Sequence, residues 1–236
     1  MDELCRGGLR IIQNSTAPRF SLDAVLLADF TPVKAGDSIV DLGCGTGILP
    51  LLLYAKNPDC RIQGIELMPE MADMARRSVA MNRLEQSIRI DHGDVRQIEK
   101  TVTKAAADTA VCNPPYYQPG KGKVSADALT AAARTEIHGV LSDFVAAAAF
   151  ALKPLGCFYM IHRSVRFTET VVALESNGLR PFLWRQVQPF AGAEANLFLI
   201  AAVKGGVREM RLLPPLTVYE SAGVYTREMR EIYKGR

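Results

Sequence analysis

The sequence predicts a doubly wound α/β fold: a mostly parallel sheet, helices on both faces, and an antiparallel end. Three observations carry this. Short apolar strands alternate with apolar or amphipathic helices from residue 38 to residue 176. A Gly-rich turn, Asp41-Leu42-Gly43-Cys44-Gly45-Thr46-Gly47, joins the first of those strands directly to a helix. After Gly178 two β-rich runs follow with no helix between them, which implies a closing hairpin.

The elements follow in order. Met1 to Phe20 is a weakly patterned lead-in punctuated by Arg6, Arg10 and Arg19, and Ser21 is placed as the N-cap of a helix through Phe30. Pro32 and Gly36 mark a turn. Ser38 to Leu42 reads as a strand, Ile48 to Ala55 as a helix, and Arg61 to Leu67 as the second strand. Pro69 suits the first turn of a helix whose Met71, Met74, Ala75, Val79 and Leu84 recur with a period of about 3.6. Ser87 to Ile90 and Asp108 to Cys112 are the third and fourth strands. Tyr117 to Thr135 lacks clean periodicity and reads as a loop or a loosely held helix, a position that often carries substrate contacts. Ser142 is placed as the cap of an alanine-rich helix, Gly156 to Ile161 is the fifth strand, and Arg166 to Ser176 is a helix stopped by Asn177-Gly178. Leu179 to Val187 and Asn196 to Val203 form the hairpin.

Composition bounds the class. With 236 residues, 48% hydrophobic and 22% charged, the chain buries a full core, and a net charge of +3 is compatible with a polyanionic partner. Its five cysteines (Cys5, Cys44, Cys60, Cys112, Cys157) are odd in number and form no CxxC pair, so buried free thiols in a reducing compartment are expected. No basic and apolar leader opens the chain, and Lys153-Pro154 and Gly156 break the apolar run Phe144–Ile161. A cytoplasmic protein with no membrane span is the expectation. His92, His138 and His162 are dispersed without ligand spacing, so no metal is expected.

The Gly-rich turn has G-x-G-x-G spacing, lacks a P-loop Lys-Ser or Lys-Thr pair, and follows an acid. Phosphate cradling is disfavoured, and an amino-bearing ligand suits Asp41 better. Gly43 and Gly45 bring backbone N–H groups close to that ligand. Glu66 ends the second strand where an acid takes ribose hydroxyls. Asp94 follows the third strand; its carboxylate accepts either from an adenine amine or, as an N-cap, from the next short helix. Ligands of open α/β sheets bind outside the carboxyl ends of the strands. An amino acid moiety, a ribose and an adenine are all present in S-adenosylmethionine.

The fourth strand runs into Val111-Cys112-Asn113-Pro114-Pro115-Tyr116. The two prolines end the strand rigidly and leave the Pro114 carbonyl for an outside donor. Asn113 adds a second acceptor and Tyr116 a stacking face, which suits a planar group bearing an NH2, either a nucleobase amine or a carboxamide. A plain proline turn with Tyr116 in the core fits the same residues.

Together these motifs resemble the class I S-adenosylmethionine-dependent methyltransferases, and Asn113-Pro114-Pro115-Tyr116 resembles the catalytic motif of their amine-methylating members. More narrowly, Gly7-Gly8-Leu9-Arg10-Ile11-Ile12-Gln13, Arg19-Phe20-Ser21-Leu22-Asp23-Ala24-Val25-Leu26-Leu27-Ala28, and Pro214-Pro215-Leu216 with Tyr225-Thr226 are similar to bacterial tRNA(Val) adenine-N6 methyltransferases. The resemblance implies a Rossmann-like, seven-stranded sheet. It divides the chain into a lead-in and helix covering the cofactor site (1–30), a catalytic domain (31–205) and a packed tail (206–236).

The resemblance also implies roles. Ser21, Asp41, Gly43, Gly45, Glu66 and Asp94 would hold the cofactor. Asn113 and the Pro114 carbonyl would accept from the target amine while Tyr116 stacks on an extruded base. If the substrate is RNA, Pro115, Lys121, Lys123 and Arg134 are candidates to meet it, with Arg6, Arg10, Arg19, Arg227, Arg230, Lys234 and Arg236 as candidate phosphate contacts. For any single one, an ordinary solvated surface is the alternative. The partner is tRNA and the chain is taken as a monomer. Rival readings are methylation of a protein glutamine amide, methylation of guanine N2 in ribosomal RNA, and a nucleotide-binding module or dehydrogenase.

Overall fold

The computed structural model describes residues 2–4, 7–12, 22–114 and 139–235. Two short strands, β1 (Asp2–Glu3) and β2 (Arg10–Ile11), pair antiparallel, and helix α1 (Leu22–Phe30) follows. Then come β3 (Ser38–Leu42), α2 (Ile48–Lys56), β4 (Arg61–Glu66), α3 (Pro69–Met81), β5 (Ile88–His92), a 3-10 segment (Val95–Lys100) and β6 (Ala107–Cys112). The second half holds α4 (Leu141–Ala151), β7 (Leu152–Arg163), α5 (Phe167–Ser176), β8 (Leu179–Gln188) and β9 (Leu197–Lys204). The chain ends with β10 (Arg211–Thr217), the small pair β11 (Tyr219–Ser221) and β12 (Val224–Tyr225), and α6 (Arg227–Lys234).

The main sheet has the order β10-β8-β9-β7-β6-β3-β4-β5. β3 to β7 are mutually parallel, and β9 is antiparallel to both β7 and β8. The predicted hairpin is therefore present, but the sheet has eight strands, not seven. The eighth, β10, contains Pro214-Pro215 and lies in the segment expected only as a packed tail. An edge strand tolerates them because a missing N–H there costs no ladder bond. The register shifts between Leu213 and Leu216, so the prolines sit in an irregularity.

Alternating strand residues feed two cores. Tyr159 and Ile161 of β7 face α1, α2, α3 and α6; Phe158 and Met160 face α4, α5 and the 3-10 segment. Local chemistry sets several boundaries. Pro69 opens α3, and Thr226 caps α6 by accepting from Met229 N at 3.2 Å. The α4 cap differs from the sequence expectation: Val140 is the cap residue, its N–H donating to Asp143 Oδ2 at 2.9 Å, and Ser142 lies inside the helix. Asn82, at the end of α3, pins β2 by accepting from Arg10 N and donating to Arg10 O, at 2.9 and 2.6 Å. Arg185 of β8 ties α6 down through both Glu228 oxygens at 2.9 Å. The placement of Ser21 as a cap lies outside the described residues. Within them, no helix is long and apolar enough to cross a membrane.

The carboxyl end of α1 is satisfied by one cation. Lys56 Nζ donates to the carbonyls of Ala28, Asp29 and Thr31 at 2.7, 2.9 and 2.5 Å. Lys56→Met keeps the stem and deletes those bonds, so it should lower the unfolding free energy by about 1.5–3 kcal/mol. Urea titration checks this; a change within experimental error would remove the capping role.

Candidate active site

Register sets the strand ends side by side. Asp41 of β3 lies opposite Gly64 of β4 and Val111 of β6, and Leu42 lies opposite Ile65. One step further along, Gly43 is level with Glu66; Asn113, two residues past Val111, is level with Gly43 on the other side. Short bonds hold the alignment. Gly43 N and Cys44 N both donate to Ile65 O, at 2.9 and 3.0 Å, and Cys112 Sγ donates to Leu42 O at 3.2 Å. Glu66 pairs with His92 of β5, and Gly93 N donates to Glu66 O at 2.9 Å. Asp94, Glu66, Gly43 and Asn113 thus follow one another across neighbouring strands spaced ~4.8 Å apart.

The Gly-rich turn is shaped by what it touches. At Gly43, φ is +77°, and a Cβ would stand 3.2 Å from the Phe144 ring of α4. At Gly45, φ is +55° with open space in front of the missing Cβ, and its N–H donates to Glu66 Oε2 at 2.8 Å. Glu66 Oε1 accepts from Met68 N at 2.8 Å. One carboxylate therefore fixes both the turn after β3 and the exit from β4, and backbone approach to a ligand remains open at Gly45.

Electrostatics separate the two buried acids. Burial raises the Glu66 carboxyl above the usual range, and the N–H groups of Met68, Gly45 and Leu67 pull it back. Asp41, only 1% exposed, is raised well above its ordinary value, first by burial and then by the charge of Glu66. Among the described residues its Oδ2 has no hydrogen-bond partner. A carboxylate buried beside a second carboxylate, with an unmatched oxygen, favours a cationic or amino-bearing ligand. The Cys44 and Cys112 thiols are pushed up by burial and by Asp41, so neither is a thiolate nucleophile at neutral pH.

Asp94 takes the capping arrangement. It accepts from Arg96 N at 2.9 Å, and both its oxygens engage the Arg96 guanidinium, Oδ2 to Nη2 at 2.5 Å. Asn113 is half-buried just past β6, and Pro114 is buried. Pro115, Tyr116, Lys121, Lys123, Arg134 and Ser21 lie outside the described residues, as do Arg6, Arg19 and Arg236. Sequence reading missed Phe144, whose ring closes over Gly43, and the backbone of Met68. Neither carries a local signal: one is an apolar residue in an apolar helix, the other acts through its main chain.

The family described as methyltransferase small domain matches residues 21–176. The tRNA1(Val) (adenine(37)-N6)-methyltransferase of Haemophilus influenzae is 35% identical over 111 residues, 47% of each chain. That of Dickeya chrysanthemi is 27% identical over 205 residues, 86% of this chain and 79% of that one. The matched stretch spans about half the length of the first of these relatives, 47%. A solved structure described as a predicted O-methyltransferase from Agrobacterium tumefaciens superposes with a TM-score of 0.74 at 22% identity, covering 91% of this chain and 97% of that one. TrmN from Thermus thermophilus superposes at 0.56 with 18% identity, covering 77% and 48%. These likenesses share the fold.

The state of Asp41 leaves a thermodynamic signature. Its folded pKa lies above an unfolded value near 4, so folding takes up a proton. Stability without ligand therefore falls as pH rises from about 4 through the raised folded value, and stays low above it. Asp41→Asn should flatten that decline and add ~0.5–2 kcal/mol at neutral pH. Urea titrations near pH 5 and pH 8 read the effect; an unchanged slope would show that Asp41 is compensated.

Proposed function

Because the chain belongs to the methyltransferase small domain family, we propose that it transfers a methyl group from S-adenosylmethionine to the exocyclic N6 amine of an adenine in tRNA, beside the anticodon of a tRNA(Val). The observation that supports this most is the alignment of two buried carboxylates, the Gly43–Gly47 turn and Asn113 at adjoining strand ends.

The residues present fit the cofactor. Its ammonium group matches the unmatched oxygen of buried Asp41. Glu66 uses one lone pair of each oxygen on the backbone and keeps others for ribose hydroxyls. Gly43 and Gly45 leave room for close approach of the main chain. Asp94 would reach the adenine amine only by loosening its hold on Arg96. Ser21 would stand near the methionine end. When bound, S-adenosylmethionine supplies an electrophilic methyl group on a sulfonium.

The chain's own task is to present a poor nucleophile well. An adenine amine is planar because its lone pair is delocalised into the ring. Two acceptors, the Asn113 side-chain oxygen and the Pro114 carbonyl, aimed at its two protons favour a pyramidal nitrogen with a directed lone pair. That interaction is stronger in the transition state than in the ground state, and it also sets orientation. No general base is required first, because the amine becomes more acidic as it is methylated. Tyr116 would stack on the extruded base for ~1–3 kcal/mol, offsetting part of the extrusion cost. Pro115, Lys121, Lys123 and Arg134 would guide the RNA around it.

The tRNA substrate is supported by the names of the relatives from Haemophilus influenzae and Dickeya chrysanthemi, together with the Asn113-Pro114-Pro115-Tyr116 run. Asn113→Ala should reduce methyl transfer by about 10²-fold or more while S-adenosylmethionine affinity survives. Nucleoside mass spectrometry of tRNA after incubation with cofactor measures the first, and calorimetry the second. Equal loss of both would assign Asn113 to folding, and N2-methylguanosine in place of N6-methyladenosine would replace the substrate.

A further inference from the structure

A row of aromatic rings extends the edge of the sheet that carries Asn113. β7 and β8 are both antiparallel to β9 and therefore parallel to each other, and β10 is parallel to β8. The last residues of β6, β7, β8 and β10 thus share one edge. Backbone bonds carry it outward: Val218 N donates to Gln188 O and Tyr219 N to Pro189 O, each at 2.9 Å. The rings begin there. Phe190 lies 5.9 Å from Tyr219 between centroids, Tyr219 stacks on Tyr225 at 5.2 Å, and Tyr225 stacks on Tyr233 at 5.1 Å. Tyr225 and Tyr233 hydroxyls are 3.3 Å apart, so the inner rings are held by each other. Phe190 ends the row with 42% of its surface exposed.

Cations stand beside it. In α6, Met229 and Ile232 are buried, while Arg227, Arg230 and Lys234 are exposed at spacings of three and four, on one face. Arg227 pairs with Glu231, and Arg230 with Glu220 at 3.4 Å; both pairs are exposed and of the kind that yields to a stronger anion. Glu194 stands exposed in the turn that carries Phe190, so the attraction for anions comes from α6 and not from the turn. The row of rings thus has an open ring, Phe190, at one end, and the helix that carries its other end, Tyr233, bears the line of cations. That arrangement suits an unpaired nucleic acid strand, with a base on the ring and phosphates on the charges.

We propose that Phe190 and the basic face of α6 dock an unpaired RNA segment flanking the methylated adenine. The proposal rests on the RNA reading above. β8 stands three strand spacings from β6, roughly 14 Å, so one loop of RNA spans Asn113 and Phe190.

Fluorescence anisotropy of the full chain with a dye-labelled anticodon stem-loop, from about 50 to about 200 mM salt, tests it. Phe190→Ala should weaken binding about tenfold at every salt concentration without changing the salt slope, and Phe190→Trp should restore it. Joint substitution of Arg227, Arg230 and Lys234 by Gln should reduce the slope of log affinity against log salt by about 2. Arg89→Gln, in β5 far from this edge, should match the parent. Melting temperature and cofactor affinity, which these exposed changes leave intact, confirm the fold. If the parent binds and methylates RNA and the Phe190 and α6 variants equal it, the surface is wrong and the function stands. If the parent binds no RNA, both fall. A Phe190→Ala loss that Trp does not rescue reports packing against Tyr219 and also overturns the assignment.

Discussion

The structure is built around keeping two carboxylates out of water at the ends of adjacent strands. Withdrawing an ionised carboxylate from water costs several kcal/mol unless donors replace the lost solvent. Glu66 is compensated by the N–H groups of Gly45 and Met68, so the same bonds that stabilise it also fold the Gly-rich turn back over β4. Asp41, one strand over, is not compensated in the same way. The fold holds it there because Leu42, Ile65, Val111 and Cys112 around it are fully buried and pack in fixed positions. An energetic defect this well supported is what the proposed binding of a counter-charge at Asp41 would relieve.

Topology explains why the defect lies where it does. β4 and β5 lie on one side of β3, and β6 and β7 on the other. The connections leaving β3 and β6 must therefore diverge, and in open α/β sheets the carboxyl ends of the strands at such a point are where ligands bind. Val111 belongs to one core and Cys112 to the other. Asn113 is the first residue beyond both, placed by packing on either side of the sheet rather than by a loop. Functional groups set at the end of a rigid strand are held more tightly than groups on loops. The strand ends that carry Asp41, Glu66 and Asn113 are accordingly aligned by ladder bonds between β3, β4 and β6.

Much of this was legible in the sequence, and the reasons divide cleanly. The strand–helix rhythm, the turn glycines and the acids at strand ends are local patterns, and local patterns survive into the fold. The eighth strand has no signature in the tail, because proline is tolerated at an edge but not in a central strand, and no sequence pattern marks which strand lies at the edge. Ser142 looked like a cap, yet Asp143 reaches back to Val140 N and starts the helix earlier. Asp94 was ambiguous between two acceptors' roles, and Arg96, two residues on, takes it. Phe144 over Gly43, Asn82 on Arg10, and the stacking of Tyr225 between Tyr219 and Tyr233 join residues whose spacing follows no period. Tertiary contacts of that kind have no signature along the chain.

The asymmetry of the sheet bears on substrate size. Its β5-β4-β3 half carries the acids and glycines. The other half is longer: past β6 come β7, β9, β8 and β10, and α6 is bolted to that extension by Arg185 and Glu228. A site that only had to recognise one adenine would gain little from the extension, since a single stacked base contributes ~1–3 kcal/mol and looks the same in any strand. Selecting one nucleic acid among many requires contacts beyond the reacting base. The strands past β7 would supply an edge for such contacts under the proposed function, continuous with Asn113 and fixed to the same core. On the proposed function, the C-terminal residues would form the outer part of the acceptor site, with the eighth strand supporting it.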